Sequence, residues 1–144
     1  MKKLLLLALI TLSTLSFAQE LKTKTGIFPE KEMLAQNITI AKMSAEALSK
    51  DLPHEIDKYT TLVSVKNQEA TLIYSFEINS GSKSDDAIRK EDRSRMQKAI
   101  TTGVCQSASK LLEAKINISY IYLSAKTKAE LFSFDISQKD CIGI

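Results

Sequence analysis

Glycine is scarce in this chain, with four residues in 144, and the scarcity excludes a class of function. Phosphate-cradling loops need several glycines at fixed spacing to bring backbone N–H groups onto the ligand. Nucleotide binding therefore has no support. Histidine is scarcer still, and His54 alone would have to serve any histidine-based catalysis. It sits in a Pro53-His54-Glu55 turn with nothing near it in sequence to orient it, and it reads as a solvent-exposed turn residue. No Gly-x-Ser-x-Gly elbow is present, nor a Ser-x-x-Lys with its accompanying motifs. The paired carboxylates Asp85 and Asp86 fall in a charged helix start, where acid–base work would need burial. They read as capping and solubilising residues, so no catalytic residue and no cofactor is expected.

An excess of charge of one sign is also missing. The formal net charge is +3, and Lys2 and Lys3 at the extreme N-terminus supply two of those charges. What remains is nearly neutral, without the clustered, uncompensated Lys and Arg that draw a protein to nucleic acid or to an anionic membrane. Cysteine is limited to Cys105 and Cys141. They lack the redox spacing C-x-x-C, and two distant cysteines with one histidine make too few ligands for a metal site. A free reactive thiol would want a nearby general base and an electropositive setting. In an exported chain, one bridge between the two is the simplest account of an even count.

The case for export lies in the first residues. Met1-Lys2-Lys3 precede an apolar run from Leu4 to Ile10, and Ser16-Phe17-Ala18 offers small residues flanking Phe17, the three regions of a secretory signal. A membrane-spanning helix needs roughly 20 predominantly apolar residues. Here Thr11, Ser13, Thr14 and Ser16 interrupt the run, which favours a cleaved signal over an uncleaved anchor. Cleavage after Ala18 would leave Gln19 first, where a bacterial lipoprotein needs a cysteine, so a soluble periplasmic or secreted product with no integral membrane association is expected. Residues 1–18 are thus the signal and 19–144 a single domain, with 19–28 flexible. That length suits one domain with a core of its own.

Apolar residues Met33, Leu34, Ile38, Ala41, Ala45 and Leu48 recur at helical spacing, predicting a helix from Pro29-Glu30 that Asp51-Leu52-Pro53 ends. Alternation over 60–66 and 70–79 about the turn Asn67-Gln68-Glu69 predicts a hairpin. Ser84 and Asp85 start a second helix running to about Ile100, and its mixed Arg, Lys, Asp and Glu read as a solvated face. Thr102-Gly103 marks a joint before a short helix over 105–114. A second hairpin follows, 116–123 and 129–136, about the turn at 124–128. The expected fold is α+β: one antiparallel sheet of about four strands, made from two hairpins, covered on its apolar face by amphipathic helices and closed by one disulfide.

The stripe Tyr74, Phe76, Tyr120, Tyr122, Phe132 and Phe134 could line a ligand cleft, but its alternation matches the core of a helix-covered sheet better. Asn37-Ile38-Thr39 and Asn117-Ile118-Ser119 match the glycosylation acceptor pattern, which carries no meaning in a bacterial chain.

From residue 52 to 141 the layout resembles the small periplasmic pilotins of type II secretion, of the AspS kind. The resemblance rests on Leu52-Pro53 with Asp57 and Thr60, Leu72-Ile73-Tyr74-Ser75-Phe76, Cys105 after a charged helix, Ile118-Ser119-Tyr120-Ile121-Tyr122, and Asp140-Cys141. It implies an α/β sandwich with a disulfide, and binding of a secretin's C-terminal segment rather than catalysis. Such pilotins carry a lipid on their first residue, and this chain has Gln19 there. The expected function is that of an exported, non-enzymatic protein-binding domain acting in assembly of an envelope or secretion complex. The alternative is a periplasmic immunity protein or enzyme inhibitor whose partner is a toxin. Fractionation of expressing cells should recover a soluble product shortened by about eighteen residues, and full-length protein held in the inner membrane would contradict the signal reading.

Overall fold

A computed structural model describes residues 30–144, so the signal, its cleavage site, the 19–28 stretch and Pro29 lie outside the described residues. Helix α1 spans Glu30–Leu48 and begins with Glu30 and Glu32 in its first turn, where acidic side chains suit the positive end of the helix dipole. Five strands follow in two groups: β1 (His54–Glu55), β2 (Thr60–Gln68) and β3 (Thr71–Ile78), then β4 (Asn117–Ser124) and β5 (Glu130–Ile136). Between the groups come α2 (Asp85–Arg89), α3 (Ser94–Ser107) and α4 (Ser109–Glu113), and a 3-10 turn at Gln138–Cys141 ends the chain. Among the described residues no helix is long and apolar enough to cross a membrane.

The sheet order is β1-β2-β3-β4-β5. Both expected hairpins are present, but they do not combine into an antiparallel sheet: β3 and β4 run parallel, from Thr71 beside Asn117 to Ile78 beside Ser124. The cause is the connection. The chain leaving Ile78 passes through three helices before it re-enters at Asn117, and such a crossover returns it to the end at which β3 began. The fifth strand, β1, is a two-residue edge pairing His54 with Leu62, so His54 belongs to a strand rather than to a turn.

The helix boundaries differ from expectation as well. Helix α3 runs unbroken through Thr102-Gly103, and nothing lies near where a Gly103 side chain would begin. The break falls earlier, between Arg89 and Ser94, where the Asp92 carboxylate accepts the Ser94 N–H at 3.0 Å and starts α3 afresh. Ser84 caps α2 as expected, accepting the Ala87 N–H.

Helices α1, α3 and α4 pack on one face. Helix α1 packs on β2 and β3 through Ala41 and Ala45, fully or nearly buried against Val65, Leu72 and Ile116. Small residues let it lie close to the sheet. Of the expected apolar row Ala41 and Ala45 are buried, with Asn37 beside them, whereas Leu34 and Leu48 are 49% and 45% exposed, so the helix is rotated towards Asn37. Two polar contacts fix that rotation: Asn37 Nδ2 donates to the Ala114 carbonyl at 2.6 Å, and Ser49 Oγ to the Val65 carbonyl at 2.7 Å. The second part of the core gathers Phe76, Val104, Leu112, Ile118, Tyr122, Phe134 and Ile136 beneath α3 and α4.

Cys105 in α3 is bonded to Cys141 in the terminal turn, with Cα atoms 5.5 Å apart. The turn has its own lock, since the Asp140 carboxylate accepts the Ser137 N–H and hydroxyl, bonds that hold its pKa below the usual carboxylate range. The bridge constrains the unfolded chain and pins the turn to α3, which supports a cost of about 2 to 5 kcal/mol for its removal. Urea unfolding of the Cys105→Ser/Cys141→Ser variant should show that loss, and an unchanged midpoint would contradict it.

Candidate functional site

Opposed residues on neighbouring strands share a face, so the strand registers place side chains in rows across the sheet. On the helix-bearing face one row reads His54, Leu62, Phe76, Tyr122, Phe132, and the next reads Val65, Tyr74, Tyr120, Phe134. Aromatic rings therefore stand side by side over three strands. Phe76 stacks on Tyr122 with centroids 5.0 Å apart, Tyr122 on Phe132 at 4.7 Å, and Tyr120 meets both Tyr74 and Phe76 edge-on at 5.1 Å. Each such pair is worth about 0.5 to 1.5 kcal/mol beyond the area it buries.

The two helical covers do not meet over these rows. Helix α1 lies on β2 and β3 towards the hairpin end, while α3 lies by β5 and the terminal turn. Between them Phe76, Tyr122 and Phe134 are buried, as core residues should be, but Leu62, Tyr74, Ile78, Tyr120 and Phe132 are only half-buried. Met96 and Ile100 border this strip from α3. The loop between β1 and β2 carries Ile56 and Tyr59, 53% and 55% exposed. The loop carrying them is well fixed: the Asp57 carboxylate accepts the N–H groups of Tyr59 and Thr60, and Ile56 N–H donates to the Thr60 carbonyl.

Chemically the strip is apolar and uncharged. Burial lifts the pKa of Tyr74, Tyr120 and Tyr122, the last pushed up to about 12, so all three remain neutral at any physiological pH. A neutral phenol offers a donor and an acceptor at the edge of an apolar ring, a combination that suits protein contact. Along the β5 side, the Arg93 guanidinium lies over the Phe132 ring at 4.0 Å, and its Nη1 donates to the Arg89 and Glu91 carbonyls. That side chain ties the α2–α3 connection to the sheet. Sequence reasoning placed Arg93 in a solvated charge run and did not mark Ile56 or Tyr59. Two large apolar residues within a short polar connection were the available signal.

The remaining sequence candidates are not brought together. His54 is exposed and has no nucleophile bonded to it among the described residues. Asp85 accepts the Thr127 hydroxyl at 2.5 Å, a bond that lowers its pKa, and Asp86 pairs with Arg89. Both serve the start of α2. Asn37, within an acceptor-like pattern, is buried against Ala114. Cys105 and Cys141 are joined to each other. No group of three or more metal-ligating side chains occurs among the described residues. The clefts of the molecule are shallow, and one of about 330 Å³ near Asn117, Asp135 and Asp140 has both carboxylates already engaged, by Ser119 and Ser137.

Solved structures share this arrangement. A candidate secreted protein from Pseudomonas aeruginosa superposes with a TM-score of 0.67 at 14% identity, over 76% of this chain and 96% of its own. The pilotin EpsS of the Vibrio vulnificus type 2 secretion system gives 0.65 at 14% identity, over 79% and 99%. The type II secretion pilotin AspS of Vibrio cholerae gives 0.60 at 14%, over 77% and 97%. The fold is therefore that of the pilotins the sequence layout resembles. No curated protein matches the chain in sequence. One family model does match, over residues 36–132, a span that runs from the second turn of α1 to Phe132 and includes β1 to β4 and the first residues of β5, and the chain belongs to the family described as Domain of unknown function (DUF8479).

Proposed function

We propose that this chain is an exported, non-catalytic protein-binding domain that takes up a helical segment of a partner during assembly of an envelope secretion complex. The observation that carries the reading is the half-covered strip of Leu62, Tyr74, Ile78 and Tyr120 between α1 and α3, with Ile56 and Tyr59 exposed in the loop that leads into β2. An amphipathic helix laid in such a strip buries its apolar face against the rings. The large rigid rings of Tyr74 and Tyr120 lose little conformational entropy on contact, as good anchors do.

The likeness in fold to two type II secretion pilotins supports the choice of partner class, the C-terminal segment of a secretin. The likeness to a candidate secreted protein agrees with export. With both cysteines joined to each other, neither is left to carry a thioether-linked lipid. The role proposed is accordingly capture of the partner's segment rather than lipid-tethered carriage. The isolated His54 and the engaged carboxylates support a role without catalysis.

The test is direct titration. Labelled peptides spanning the C-terminal segments of secretins made by the same cell should bind the purified protein with a dissociation constant in the micromolar range. Leu62→Asp, which sets a charge in the middle of the apolar strip, should weaken that binding at least about tenfold, corresponding to roughly 1.4 kcal/mol. Absence of binding at high peptide concentration, or equal binding by the Leu62→Asp variant with unchanged melting, would contradict the proposal.

A further inference from the structure

Helices α1, α3 and α4 all pack on the face of Leu72, Phe76, Tyr122 and Phe134, and on the other face the rows of the described strands have a self-complementary order. One row reads Lys66, Ile73, Ser119, Asp135 from β2 to β5, and the next reads Ser64, Ser75, Ile121, Ser133. Beyond them lies Thr61, Glu77, Leu123, Glu130. Ile73, Ile121 and Leu123 are half-buried there, and the open cleft over Ile73 and Ile121 is lined, among the described residues, by strand and turn residues and by no helix.

A two-fold axis parallel to the strands, midway between β3 and β4, maps each row onto itself in reverse. Lys66 of one copy then faces Asp135 of the other, and the same pair recurs on the far side of the axis. Ile73 faces Ser119, and Ser75 faces Ile121, so each large side chain meets a small one, as interdigitating sheets about 10 Å apart require. Glu77 is already neutralised by Lys128 of its own chain at 2.7 Å and falls opposite Leu123. Glu130 falls opposite Thr61. No like charges meet. An axis perpendicular to the strands would instead bring Asp135 towards Glu130, a like-charge contact that disfavours it.

We infer that the open sheet face is an interface between two copies of this chain, packed face to face and held in register by two Lys66–Asp135 ion pairs. Both residues are positioned for it. Lys66 is exposed and has no ionic partner among the described residues, and Asp135 uses one carboxylate oxygen to accept the Ser119 hydroxyl at 2.6 Å, leaving the other available. The usual offset of about 30° between packed sheets displaces the outer strands by about one residue, within reach of a lysine stem. Four strands about 4.8 Å apart, of seven to nine residues at about 3.3 Å each, make a face of roughly 500 Å². Two such faces bury about 1,000 Å², the lower limit of a specific interface, which describes a reversible dimer. The aromatic strip is on the opposite side of the sheet and stays open in such a pair.

Sedimentation equilibrium of the purified protein, without any partner, tests this separately from peptide binding. The wild type should dimerise reversibly at micromolar concentration. Lys66→Asp and Asp135→Lys should each weaken the dimer about tenfold or more, because each turns two attractions into two repulsions. The double variant Lys66→Asp/Asp135→Lys should restore it to within about threefold of wild type. Thermal melts of all three variants guard against misfolding, and Ile121→Asp, away from both charges, should also abolish the dimer. A wild type that stays monomeric at millimolar concentration, a dimer indifferent to Lys66→Asp, or a double variant no better than its parents would overturn the inference.

Discussion

The parallel pairing of β3 with β4 is the constraint on which both faces of the molecule depend. Its register runs without a slip from Thr71 and Asn117 to Ile78 and Ser124, whereas both flanking hairpins contain a bulge, at Leu62/Ser64 and at Tyr122/Leu123. A shift of one residue would exchange the faces of every side chain on one side of the junction. Tyr120 and Tyr122 would then leave the rings of Tyr74 and Phe76, and Ile121 would enter the core in their place. The aromatic rows, the half-covered strip and the reversed order of the open face all follow from this one register.

Coverage of the sheet is uneven because the two helical covers are held by different means. The α3–α4 cover is anchored by large apolar side chains, by the Arg93 contact with Phe132 and by the bridge to the terminal turn. Helix α1 meets the sheet through alanines, and its placement relies on hydrogen bonds from Asn37 and Ser49 to backbone carbonyls distant in sequence. Small side chains bring α1 close but give it little breadth. The rings of Tyr74 and Tyr120 are thereby left only partly covered.

Much of this was legible in the chain. Alternation marked the four long strands, and the even cysteine count, with a signal-like N-terminus, marked the bridge. Strand direction was not legible, because the period of a strand says nothing of its neighbour's direction, and only the helical crossover between Ile78 and Asn117 makes the junction parallel. A two-residue strand such as His54–Glu55 has no period to detect. An exposed helical glycine costs only about 1 kcal/mol, so Gly103 does not interrupt α3, and the turn in which the Asp92 carboxylate accepts the Ser94 N–H marks the break instead. For the site, the six aromatic residues were legible as one stripe. Which of them face solvent is set by the rotation of α1, and that rotation rests on the polar Asn37, which a search for apolar spacing passes over.

The central claim is that the strip between α1 and α3 is where a partner's helix docks. Hydrogen exchange of the protein with and without a bound secretin C-terminal peptide addresses it without altering a residue. The account predicts slowed exchange confined to residues 56–62 and 74–78 and to the neighbouring turns of α1 and α3. Protection centred on the terminal turn about Cys141, or on the Ser133 and Asp135 side of the sheet, would contradict it.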